Sequence, residues 1–256
     1  MILLLSPAKS LDFESAWDLS ETTEPRLLDQ AKLLADQLRK FRPAELQQLM
    51  GISEKLAQLN VERFQDWEAA SRRNGGKPAA LAFTGDVYQG LEADRWTEKQ
   101  WAFAQNHLRI LSGLYGILRP TDLILPHRLE MGTALKTSRG KTLVEFWGHQ
   151  LTDCINELVS DTGARFVLNL ASNEYFRSVD AKSLSVPVVS PVFQDFSGGK
   201  YKTISFYAKK ARGRMASWVI RQRAKTLPKL QQFDADGYSY DADSSTESAP
   251  VFRRKT

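Results

Sequence analysis

Five polar side chains lie beside short apolar runs, where a folded chain can present them to a cleft. Lys9 follows the opening Met1-Ile-Leu-Leu-Leu5 and the turn Ser6-Pro-Ala, and the end of a strand is where such folds meet ligands. Asp86 follows Phe83-Thr-Gly85 and is expected on a turn. Arg128 and Glu130 are two residues apart, so they share a face if their segment is extended. Lys209 opens the basic run Lys209-Lys-Ala-Arg212. Carboxylates and cations of this kind are the parts of an acid–base or phosphate-handling site. Each also has an ordinary structural use: a helix cap for Asp86, a salt bridge for Arg128 and Glu130, an interface contact for Lys9.

A second constellation suits phosphate rather than catalysis. Leu49-Met-Gly-Ile-Ser-Glu-Lys-Leu-Ala57 follows the hairpin of a helix–hairpin–helix, hydrophobic-Pro-Gly-hydrophobic-Gly-x-x-x-Ala. Gly51, Ile52 and Ala57 match and Lys55 adds a cation, whereas Met50 and Ser53 stand in place of Pro and the second Gly. Such a turn exposes backbone N–H groups at a helix start, which hold phosphate without reading bases. The alternative is a plain helical hairpin with Ser53 as its N-cap.

Charge placement points the same way. The chain is +5 overall, yet residues 197–230 carry ten Lys and Arg and no Asp or Glu, so the remainder is net acidic. A basic block in such a chain suits an anionic partner, nucleic acid first; a solvated helix face is the competing reading. At 100° per residue, Lys210, Arg214, Arg221 and Lys225 form one stripe of the helix expected over 208–225. Ala211, Met215, Trp218 and Gln222 form the adjacent packing face, flanked by Lys209, Arg212 and Arg223. Tyr201 and Tyr207, just before the helix, can stack on bases or fill the core.

Metal and cofactor signals are poor. His107, His127 and His149 and the lone Cys154 show no paired ligand spacing, so no cofactor and no tightly bound metal are expected. There is no Walker loop, no complete Gly-x-Gly-x-x-Gly and no serine nucleophile elbow.

The elements that must position these residues form an α+β pattern, a mixed sheet with surrounding helices. Apolar spacings of three and four over 27–38 predict a helix, followed by helical pieces at 44–50 and 54–67 broken at Gly51; together they make a helical subregion of about 25–70. A polar loop is expected over 71–78, a short buried strand over 80–84, and amphipathic helices over 98–111 and 143–159. Strands are expected over 165–170, 186–193 and 201–207. With 256 residues, 42% hydrophobic and 25% charged, the chain reads as one large domain, residues 1–256. One cysteine rules out a disulfide scaffold and suits a reducing compartment. No apolar run reaches a membrane span, and the opening run lacks the basic flank of a signal peptide, so a cytoplasmic protein is expected.

Six ordered segments carry a family resemblance: Ser6-Pro-Ala-Lys9, Phe83-Thr-Gly-Asp-Val-Tyr88, Leu111-Ser-Gly-Leu-Tyr-Gly-Ile-Leu-Arg-Pro120, Arg128-Leu-Glu-Met-Gly132, Asn169-Leu-Ala-Ser172 and Ser205-Phe-Tyr-Ala-Lys-Lys-Ala-Arg-Gly213. Together they resemble the bacterial YaaA peroxide-stress protein family. The resemblance implies a cytosolic protein induced by hydrogen peroxide, linked to lower free iron and to protection of DNA. It also implies binding to duplex and junction DNA through a positive cleft and a helix–hairpin–helix, which maps onto Gly51, Ile52 and Ser53. It supplies no catalytic residues. The leading expectation is therefore sequence-independent DNA binding without catalysis. The alternative is a cleft enzyme acting on nucleic acid or a phosphorylated small molecule, using Lys9, Asp86, Arg128, Glu130 and Lys209. Direct iron sequestration is disfavoured by the lack of ligands. Convergence of Lys9, Asp86, Arg128 and Glu130 in one pocket favours the enzyme, and scatter disfavours it.

Overall fold

The opening run has no polar alternation, and this is the pattern of a strand buried on both faces. In the computed structural model, which describes residues 1–68 and 75–255, it forms β1 (Ile2–Leu5), with all four side chains fully buried. The chain continues through β2 (Ser10–Leu11) into the helical subregion: α1 (Leu28–Leu38), α2 (Pro43–Met50) and α3 (Glu54–Asp66). Ala31, Leu34, Ala35 and Leu38 form the buried stripe of α1, as their spacing predicts. Next come β3 (Lys77–Pro78), α4 (Ala79–Ala82), β4 (Phe83–Thr84), α5 (Asp86–Leu91), α6 (Glu98–His107), β5 (Leu108–Ser112), β6 (Gly116–Leu118) and β7 (Leu123–Ile124). The remainder is α7 (Leu143–Trp147), α8 (Gln150–Thr162), β8 (Val167–Asn169), α9 (Asn173–Phe176), β9 (Val188–Val189), β10 (Val192–Ser197), β11 (Lys200–Lys202), α10 (Ser205–Gln222), α11 (Leu227–Leu230), β12 (Ser239–Asp241) and β13 (Val251–Arg254).

Two sheets organise this α+β fold. The first has the order β6-β5-β1-β8-β9, with β5, β1, β8 and β9 parallel and β6 antiparallel at the edge. The second has the order β11-β10-β13-β12, with β10 and β13 parallel. Both α8 and α10 pack on β1, and one continuous apolar core joins the two sheets.

Several expected boundaries shift. Residues 79–82 are helical rather than extended, and three of the four are alanine, the best helix former. The helix expected over 98–111 stops at His107, and Leu108–Ser112 instead pairs with β1. The helix expected over 143–159 is broken at Gly148, whose φ of 50° and ψ of −129° interrupt it. The strand expected over 201–207 ends at Lys202, and Tyr207 lies in α10. Residues 71–74 of the expected polar loop lie outside the described residues, and Lys77–Pro78 pairs with β7.

Helix α10 crosses α5 at unusually close range. A Cβ on Gly213 would lie 1.8 Å from the Val87 carbonyl oxygen, and one on Gly90 would lie 2.3 Å from that of Lys210. Two glycines facing each other's backbones therefore set the position of the basic helix.

Candidate functional site

The parallel strands β1, β5 and β8 end at one edge, with β1 between the other two. In open sheets of this kind ligands bind beyond the carboxyl ends. Ser6 and Lys9 follow β1, Gly113 follows β5, and Ser172 lies shortly after β8. Ser6 Oγ accepts the Ser172 backbone N–H at 2.8 Å and lies 3.3 Å from Ser172 Oγ. The buried Tyr88 hydroxyl donates to the Ser6 carbonyl at 3.0 Å, and burial holds that phenol well above its ordinary pKa.

The segment carrying Arg128 and Glu130 is seated against this edge by two glycines. A Cβ on Gly113 would be 2.2 Å from the Leu129 carbonyl oxygen, and one on Gly132 would be 2.9 Å from Glu174 Oε1. That carboxylate accepts the Gly132 N–H at 3.0 Å. Glu130 then bridges two cations, Lys9 Nζ at 2.7 Å and Arg128 Nη2 at 2.9 Å. Lys9 is 63% exposed, whereas Arg128 and Glu130 are about one-fifth exposed. Arg128 Nε is buried without a hydrogen-bond partner. Tyr175, raised by burial and then by the Glu174 and Glu130 carboxylates, stays a neutral phenol beside them.

Three of the expected site residues, Lys9, Arg128 and Glu130, thus form one ion-pair chain. Asp86 begins α5 and, among the described residues, has no ion-pair partner. Its strand does run beside the Lys9 turn: Ser10 pairs with Thr84 across β2 and β4, and a Cβ on Gly85 would be 3.9 Å from Ala8 Cβ. Lys209 is exposed on α10, and no ion pair joins it to the chain. Ser6, Tyr88, Ser172 and Tyr175 escaped the sequence reading as individual residues, although three of them fall in segments that carry the family resemblance.

Two arginines of the basic stripe of α10, expected to face an anionic partner, are engaged in internal ion pairs. Arg214 pairs with Glu92 and, at 3.3 Å, with Asp236; Arg221 pairs with Glu92 at 3.2 Å. Glu92 and Asp236 both have left-handed backbone, with φ of 50° and 55°, so turns that would suit glycine carry carboxylates here. Arg212 is half-buried, and burial lowers its pKa. Arg223 is exposed at the left-handed end of the helix, and Lys225 lies 5.8 Å above the Phe103 ring.

Further exposed cations lie at the other end of the block. Lys200, Lys202 and Lys209 are exposed, and none forms an ion pair among the described residues. The same stretch exposes the rings of Phe196 on β10 and of Phe206 and Tyr207 on α10. Arg254 lies 5.0 Å from the Tyr207 ring and Lys255 lies 5.6 Å from Phe196. Asp195, almost fully buried, anchors the patch by accepting from Arg254 Nε at 2.7 Å and the Tyr238 hydroxyl at 2.9 Å. Lys210 lines a cavity of about 170 Å³ with Phe206, Tyr207, Tyr238 and Arg254.

Between α2 and α3 the chain turns through Gly51, at φ 60° and ψ 44°. Its N–H and that of Ile52 both return to the Gln47 carbonyl, and the Ile52 side chain is buried. Ser53 has ordinary extended backbone and caps α3 by accepting the Leu56 N–H at 3.4 Å. A second glycine is therefore unnecessary here. Lys55 is exposed in the first turn, beside Glu54.

Comparison with known proteins gives this geometry a family. A family model described as "Peroxide stress protein YaaA" matches residues 1–244. The chain belongs to the YaaA peroxide-stress family. Within that family it is 49% identical over 254 residues to a "UPF0246 protein" of Alcanivorax borkumensis, a match covering 99% of this chain and 98% of the relative. Proteins of the same name from Tolumonas auensis and Shewanella denitrificans are each 50% identical over the same shares. These printed names state no activity. The family match takes in both the ion-pair chain and the basic block.

Among the described residues no group of three or more His, Cys, Asp or Glu side chains is placed to hold a metal ion. No helix there is long and apolar enough to cross a membrane. Two histidines are structural: His107 Nδ1 meets the Met1 carbonyl at 3.1 Å and His127 Nδ1 that of Leu125 at 2.8 Å.

Proposed function

We propose that this member of the peroxide-stress family binds DNA through its phosphates without reading base sequence, and so protects DNA and limits damage driven by free iron in a cytoplasmic setting. The observation that carries the reading is that Lys200, Lys202 and Lys209 are exposed and form no ion pair among the described residues, in a stretch that also exposes Phe206 and Tyr207. Cations free of internal partners can release counterions from a phosphate backbone, and adjacent rings can stack on bases without choosing among them. Lys210, Arg223, Lys225 and, at the hairpin, Ser53 and Lys55 form a wider set of contacts, with Gly51 and Ile52 shaping the turn because their N–H groups already bond the Gln47 carbonyl. Arg212, Arg214 and Arg221 contribute less because they are half-buried or already paired. The test is a salt titration of duplex affinity with Lys200, Lys202 and Lys209 replaced together by Ala.

One observation supports a second reading, a cleft enzyme acting on nucleic acid or a phosphorylated small molecule. Lys9, Glu130 and Arg128 meet at the carboxyl edge of a parallel sheet, where such folds place ligands. Replacing Glu130 by Gln separates the two readings, since DNA affinity persists if the lysine patch acts alone.

A further inference from the structure

A second polar cavity, of about 290 Å³, lies among β5, β6 and α8, away from the Lys9 chain and the lysine patch. Its walls carry Arg26, Arg109, Arg119, Asp122, Cys154 and Asp161. Two of the three guanidiniums are already matched. Arg26 pairs with Glu157. Arg119 Nε donates to Asp122 Oδ1 at 3.0 Å, and its backbone N–H donates to Oδ2 at 2.8 Å. Asp122 also accepts the Thr23 hydroxyl at 2.6 Å, which leaves it little capacity for another donor.

Arg109 is different. It is the second residue of β5, and among the described residues its Nη1 donates only to the Gln105 and Leu108 carbonyls, at 2.8 and 2.7 Å. Among the described residues no carboxylate forms an ion pair with it. Burial lowers its pKa to about 10, a cost that the nearby Asp122 carboxylate, already bonded to Arg119, offsets only in part and to which the charge of Arg119 adds. Buried charges in proteins are normally paired. A guanidinium lining a cavity can instead be paired by an entering ligand, through forked geometry that matches carboxylate and phosphate oxygens.

We propose that this cavity is a binding site for a small oxyanion, a phosphate or carboxylate group, held by Arg109 with Arg26 and Arg119 at its margins. The volume lies near the lower end of ligand pockets, which suits inorganic phosphate or a short carboxylate rather than a nucleic-acid strand. Ile117 and Leu158 supply the apolar wall. Cys154 faces the same space with a buried thiol whose pKa burial raises, and this gives a chemical reporter.

The site is tested on the intact chain with inorganic phosphate as the probe and sodium chloride at matched ionic strength as the control. Phosphate should raise Tm saturably in the parent and in Cys154→Ala, with no shift in Arg109→Gln and a reduced one in Arg109→Lys. Alkylation of Cys154 by iodoacetamide, followed by mass, should slow about tenfold when phosphate is ten times its Kd, because reaction then requires the empty cavity. The alkylation arm needs no variant, so it holds even if Arg109→Gln does not fold. An equal Tm rise in folded Arg109→Gln, or parent alkylation and Tm that respond to phosphate no more than to chloride, would overturn the proposal.

Discussion

Replacing Arg214 by Ala should weaken the fold while leaving DNA binding almost untouched, although Arg214 lies in the middle of the most basic segment. Its side chain is 25% exposed and is shared between Glu92, itself 15% exposed, and Asp236. Breaking a buried pair costs about 3–5 kcal/mol and an exposed pair at most about 1 kcal/mol. Glu92 keeps Arg95 at 3.0 Å and Arg221 at 3.2 Å in the variant, and Asp236, which loses this ion pair, is 28% exposed and open to solvation by water. The loss should thus be about 1–2 kcal/mol, which for a chain of this size lowers Tm by roughly 2–8 °C. Urea unfolding gives the stability. A fluorescence-anisotropy titration against a mixed-sequence duplex at several salt concentrations gives the binding, read while the variant is fully folded. An unchanged Tm together with a salt slope reduced by about 0.9, the value for one phosphate contact, would refute the assignment of Arg214 to the internal ion-pair network.

Three further outcomes are expected. Gly213→Ala should cost about 3 kcal/mol or more in urea unfolding, since its Cβ would enter the Val87 carbonyl 1.8 Å away; a change below about 1 kcal/mol would mean that α5 and α10 separate easily. Burial lowers His107 and His127 from 6.5 to about 4, so the unfolded chain binds more protons below pH 6.5 and stability falls with pH, by about 2 kcal/mol per histidine between about pH 7 and about pH 5; denaturant midpoints that stay flat over that window would contradict it. Ser53→Gly should lose only a few tenths of a kcal/mol, whereas Gly51→Ala should lose about 1 kcal/mol through backbone strain alone, because nothing lies within 4 Å of the added Cβ; equal chemical-denaturation losses would deny the left-handed turn at Gly51.

Local pattern was enough to place β1, α1 and the α2–α3 break, because an unalternating apolar run, a three-and-four spacing and a left-handed glycine each act within one element. It failed at Leu108–Ser112, where a buried parallel strand continues directly from an amphipathic helix and periodicity alone cannot separate them. The site divides in the same way. Lys9, Arg128 and Glu130 were recognisable by type, but their meeting depends on Gly113 admitting the 128–130 segment to the sheet edge. The internal use of Arg214 and Arg221 was not legible, since Glu92 lies more than a hundred residues away and reaches them only through the glycine crossing of α5 and α10. Arg109 drew no notice in the sequence because its lack of a carboxylate partner is a property of the folded cavity.

The central claim, that exposed lysines bind the DNA backbone, is tested most directly by the slope of log affinity against log salt for a duplex of arbitrary sequence. The parent should show a steep negative slope that is the same for unrelated sequences. Replacing Lys200, Lys202 and Lys209 together by Ala should reduce its magnitude by roughly 2–3, at about 0.9 per phosphate contact, with stability changed by no more than about 0.5 kcal/mol. A parent slope near zero, or a triple variant with the parent's slope and affinity, would contradict it.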